Sequence, residues 1–131
     1  MTAGVFQVCT ICQRPGAPRG PRPEGTVIME RLNQLLDESR LSDQIGLQAY
    51  GCLGNCRRRC TVALAGPDRW SWLFGELDPN ADLGWLIDFA RQWLATPDGV
   101  IPKPQRIVEA QAHGVGRLPP LRIGNSQPGG S

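Results

Sequence analysis

Five cysteines stand in two groups along this chain of 131 residues. Cys9 and Cys12 close the stretch "VCTIC". Cys52, Cys56 and Cys60 lie in "YGCLGNCRRRC", with Arg57, Arg58 and Arg59 between the last two. An odd count leaves one thiol over in any scheme of disulfides within the chain. The start, "MTAGVFQVCTIC", has no charged leader and no extended apolar run, so no secretory signal is read there, and no apolar run is long enough to span a membrane. The expected location is therefore cytoplasmic, where thiols stay reduced and clustered cysteines more often hold metal or do redox chemistry. The plain alternative is that they are small buried apolar residues. Two close pairs suit that role poorly.

Such thiols need elements to position them. The length suits one domain, apolar residues make up 40% of it, and the net charge of +2 is too small to imply nucleic-acid binding. "GVFQVC" (4–9) reads as a buried strand ending at a thiol. Pro15, Pro18, Pro21 and Pro23 mark a loop in which no helix is expected to begin. From Thr26, a plausible N-cap, Ile28, Leu32, Leu35 and Leu36 follow the spacing of a one-faced helix. "IGLQAY" (45–50) and "TVALA" (61–65) read as strands, and in "RWSWLFGEL" Trp70, Trp72 and Phe74 share one strand face. Asp78-Pro79 is expected to open a second helix with Leu83, Leu86, Ile87, Ala90 and Leu94 inward, beside a row of Trp85, Phe89 and Trp93. Thr96 to Gly99 should stop it. The order β-α-β-β-β-α defines an α/β domain over residues 1–99, and residues 100–131 read as a Pro/Gly-rich tail that wraps or frays.

Two parallel strands linked through a helix end at the same edge of a sheet, so both cysteine loops should meet on one rim. Four thiolates from Cys9, Cys12, Cys52 and Cys56 suit tetrahedral zinc or a [2Fe–2S] cluster. Zinc knuckles usually pair C-x₂-C with C-x₂-C. Here the second pair is C-x₃-C, with Gly51 before it and Gly54 inside it, which lets backbone N–H groups approach sulfur and favours iron. "CTIC" also matches a thiol–disulfide redox motif, but that chemistry wants its attacking cysteine at a helix N-terminus, and here the helical pattern starts over a dozen residues later. Arg57, Arg58 and Arg59 read in two ways. They form an ordinary basic loop, or they offset cluster charge and dock an acidic redox partner. The aromatic residues read as core rather than as a ligand cage. His113, the sole histidine, is expected to face solvent in the tail and not to ligate. No catalytic triad, phosphate-cradling glycine loop or paired catalytic carboxylates can be assembled, so a carrier or metal-binding protein is expected before an enzyme acting alone.

The "QVCTIC" start, "CLGNCRRRCTVAL", "RWSWLFGELDP" and the order of elements resemble the thioredoxin-like [2Fe–2S] ferredoxins. Within them the chain is similar to a set of small predicted metal-binding proteins of unassigned function, the DUF1636 type. The resemblance covers roughly residues 5 to 95. It implies a thioredoxin-like fold whose cluster sits in two loops at one end of the sheet. Cys9 matches the family's first ligand, and Cys52 and Cys56 match its C-x₃-C pair. The family's second ligand usually lies farther from the first than Cys12 does, and Cys60 stands near a position where those ferredoxins commonly carry proline. Cys12 is thus the expected fourth ligand, with Cys60 as the alternative. The resemblance further implies one-electron transfer with a partner protein, a homodimer as a further prospect, and service to cobalamin-related metabolism. The alternatives are a zinc-binding or metal-handling protein without redox role and, third, a thiol oxidoreductase using Cys9 and Cys12.

Overall fold

The computed structural model describes residues 2–10, 23–50 and 60–120. Alternation in "GVFQVC" produces β1 (Gly4–Cys9), with Phe6 and Val8 fully buried. α1 (Glu24–Glu38) buries Gly25, Ile28, Leu32 and Leu36 along one stripe. The strands β2 (Ile45–Tyr50), β3 (Val62–Ala65) and β4 (Ser71–Phe74) precede α2 (Gly84–Ala95). A single 3₁₀ turn (Lys103–Gln105), α3 (Val108–His113) and β5 (Gly114–Leu118) complete the described chain. The sheet order is β2-β1-β3-β4-β5, with β1 parallel to β2 and every other neighbouring pair antiparallel.

This register lines the core residues up in rows. Val8, Val62 and Phe74 form one row across the sheet, and Phe6, Leu64 and Trp72 the next, all buried. α2 lays Trp85 and Phe89 against them. The Phe74 ring meets Trp85 and Phe89 edge-on at 5.3 and 5.0 Å, and Trp72 meets Phe89 at 5.2 Å. Edge-to-face contact is a preferred aromatic geometry, and each such ring brings a large apolar area out of water. The aromatic rows are core, as their spacing predicts. α1 is tied to the turn that precedes α2 by Arg31, whose guanidinium donates to the carbonyls of Pro79 and Ala81.

Two helix starts differ from the sequence-based expectation. α1 begins at Glu24, with Pro23 at the N-cap position, and Thr26 is already inside the first turn. Proline suits that boundary because the first N–H groups of a helix have no intrahelical acceptor. α2 begins at Gly84 rather than at Asp78-Pro79. The Asp78 carboxylate accepts from Asn80 N and the Asp82 carboxylate from Gly84 N, both at 2.8 Å, and these local turns compete with helix. Beyond residue 100, of the two alternatives of wrapping and fraying, residues 101–118 take the first and pack on the sheet as the 3₁₀ turn, α3 and β5. α3 has six residues and β5 reads "GVGRL", too short and too glycine-rich for either period to register. His113 accordingly does not face solvent in a tail. Its ring stacks on Trp85 at 5.5 Å, its Nδ1 lies 3.0 Å from the Gly75 carbonyl, and Gly75 N donates to the His113 carbonyl. Among the described residues no helix is long and apolar enough to cross a membrane.

Candidate metal centre

The two parallel strands deliver their C-termini side by side, with Cys9 opposite Tyr50. Past that pair, Thr10 N and Thr10 Oγ1 both donate to the Tyr50 carbonyl, at 2.9 and 3.0 Å. Cys9 N donates to Thr61 O at 3.2 Å, so the entry of β3 joins the same end, and Cys60 stands immediately before Thr61. Leu77 N in turn donates to the Cys60 carbonyl at 3.2 Å. The exits of β1 and β2 and the entry of β3 therefore meet on one rim. Cys12, Cys52, Cys56 and the arginines Arg57, Arg58 and Arg59 lie outside the described residues.

The first turn of α1 packs directly on this rim. A methyl group on Gly25 would collide with the carbonyl oxygen of Cys9 and crowd the Thr10 backbone, so only glycine lets the helix approach this closely. Thr26 Oγ1 donates to Thr10 O at 3.0 Å, fastening the helix to the strand exit. The positive end of the helix dipole thus lies against the backbone that carries Cys9, which favours negative charge there. Separation in sequence suggests that no helix start lies near Cys9, but the fold brings the first turn of α1 against it. Cys9 itself is 1% exposed, which withholds it from attack on an external disulfide. Gly25, Thr26 and Thr10 carry no chemical signature of their own. The available sign was a glycine in a helical first turn, where glycine costs stability unless something approaches closely.

Cys60 is fully buried and, like Cys9, belongs to the hydrophobic core cluster. The segment held against Cys60 carries Glu76, at a positive φ of 60°, and Asp78. The end of the sheet into which Arg57 to Arg59 lead therefore also carries two carboxylates. His113 is engaged by Gly75 and Trp85. Among the described residues no three His, Cys, Asp or Glu side chains come together in a group that could hold a metal ion.

The model of the family described as "Protein of unknown function (DUF1636)" matches residues 6–120. No curated protein matches the chain. Among solved structures, a thioredoxin-like [2Fe–2S] ferredoxin from Aquifex aeolicus superposes with a TM-score of 0.52 at 16% identity, covering 94% of this chain and all of that one. A second structure of such a ferredoxin from the same organism, the wild type, gives 0.50 at 16% identity, covering 88% of this chain and 99% of that one. At that identity the likeness concerns the fold, which is thioredoxin-like.

Proposed function

Because the chain belongs to the DUF1636 family and has a thioredoxin-like fold, we propose that it is an iron–sulfur electron carrier whose [2Fe–2S] cluster is held by Cys9, Cys12, Cys52 and Cys56. The observation that carries this reading is the convergence at one rim of every strand end leading into a cysteine segment. The described part of the site suits such a group: Cys9 is shielded from water, and the first turn of α1 favours negative charge beside it. When bound, the cluster supplies one-electron redox chemistry. The chain's own residues fix the thiolates, exclude water from Cys9 and lock the rim through Thr10 and Thr26. Arg57, Arg58 and Arg59 would offset the site's negative charge and attract an acidic partner protein. Service to cobalamin-related metabolism draws no support from the described residues and forms no part of the proposal.

Single serine replacements test the ligand set. Cys9→Ser, Cys12→Ser, Cys52→Ser and Cys56→Ser are each expected to abolish or shift the visible bands and lower the iron content. Cys60→Ser should keep a native spectrum while losing about 1–3 kcal/mol of stability, because a hydroxyl replaces a fully buried thiol. The reverse pattern, with Cys12→Ser silent and Cys60→Ser destructive, would make Cys60 the fourth ligand. Metal content unchanged in all five variants would end the proposal.

A further inference from the structure

A second electrostatic feature lies toward the opposite end of the sheet, in its β4–β5 half. Arg117 stands directly across the ladder from Trp72, with its guanidinium 5.6 Å from the Trp72 ring and 5.0 Å from that of Trp70. Arg106, from the turn before α3, lies 4.9 Å over the same Trp72 ring. Two cations therefore share one indole. Among the described residues neither guanidinium lies within ion-pair distance of a carboxylate; the ion pair seen there is Arg91–Asp88, on α2. Burial, and after it the charge of Arg117, pushes the Arg106 guanidinium below its ordinary value. Nearby Arg69 is different. It lies over Trp93 and spends its Nη1 on the carbonyls of Trp93 and Thr96, closing the C-terminus of α2. The Arg106 guanidinium commits only its Nε, to Ile101 O, and the Arg117 guanidinium meets no hydrogen-bond acceptor among the described residues.

We propose that Arg106 and Arg117 form a binding site for a phosphate-type oxyanion, independent of the cysteine rim. Like charges held together with no counter-ion are unfavourable, and a bound anion reverses the sign of that term. The guanidinium fork matches phosphate oxygens in pairs. Two forks brought from different places in the fold, the end of the 3₁₀ turn and β5, suit a tetrahedral dianion better than a carboxylate with two oxygens and one charge. The aromatic floor of Trp70 and Trp72 orients the forks and supplies an optical reporter beside them.

The test is a titration of the full-length protein with inorganic phosphate and, separately, with glycerol phosphate at constant ionic strength. Binding is followed by tryptophan fluorescence and by calorimetry. Saturable binding is expected, weakened at least about tenfold by Arg117→Gln and severalfold by Arg117→Lys, which keeps the charge and loses the fork. Arg91→Gln, on α2 and away from this site, should bind as the parent does. A glycerol phosphate affinity equal to or above that of phosphate assigns the site to a phosphomonoester, and the opposite order assigns it to the free ion. Arg117 is exposed, so its variants should fold, and circular dichroism checks this. If phosphate binds no better than acetate, or if both Arg117 variants bind like the parent, the arginines merely seal the edge of the core and the proposal is wrong.

Discussion

Gly25→Ala is expected to destabilise the protein by about 3 kcal/mol and to lower its metal content. In an ordinary helix the same change would stabilise it by up to about 1 kcal/mol, because alanine loses less conformational freedom than glycine. The sign therefore reports on packing. At Gly25 the added methyl meets the backbone of Cys9 and Thr10, which cannot rotate away as a side chain could, so α1 or the end of β1 must move. Either movement disturbs the rim: the Thr26–Thr10 hydrogen bond stretches, and Cys9 shifts relative to Tyr50 and Thr61. The corresponding change at Gly116 meets nothing within 4 Å and should alter stability by no more than about 0.5 kcal/mol. Denaturant unfolding of the two variants, with iron measured on each, checks the pair. A stabilised Gly25→Ala protein would contradict the packing of α1 on Cys9.

Trp93→Ala should cost about 4 kcal/mol, with a fall in Tm of roughly 10–20 °C. Trp93 is fully buried, its Nε1 donates to Trp70 O at 2.8 Å, and the Arg69 guanidinium covers its ring at 5.1 Å. The sheet makes room for it. A methyl on Gly4 would come within 2.5 Å of the indole and one on Gly66 within 2.7 Å. Truncation removes the packing, leaves a cavity between α2 and the starts of β1 and β4, and orphans the Trp70 carbonyl. Because this lies at the end of the sheet away from Cys9, metal bound per folded molecule should not change. Thermal unfolding and metal analysis on one preparation separate the two readouts. A loss below about 1 kcal/mol would mean that the indole does not hold the sheet to α2.

The residues differ in how plainly the sequence speaks for them. Phe6, Val8, Leu64, Trp72 and Phe74 are legible because strand alternation and core burial are the same pattern seen from two sides. The meeting of Cys9 with the exit of β2 is legible through topology alone, since two parallel strands must end together. Caps and close approaches are not. Pro23 lies in a proline-rich stretch that looks hostile to helix, yet it sits where its missing N–H costs nothing. The contact of Gly25 with Cys9 joins residues sixteen apart with no periodic mark. Asp78-Pro79 imitates a helix start, while the turn chemistry of Asp78 and Asp82 delays α2 to Gly84. β5 is specified mainly by its neighbours. His113 pins its start through Trp85 and Gly75, and Arg117 covers Trp72, contacts that exist only once the sheet has formed.

The central claim is that the rim at Cys9 holds a [2Fe–2S] cluster. The most direct measurement is a visible absorption spectrum with iron, sulfide and zinc analysis on protein purified without oxygen. Visible bands that bleach with dithionite, with about two irons and two sulfides per chain, are the predicted result. A colourless protein carrying stoichiometric zinc would contradict it and leave a structural or metal-handling domain in its place.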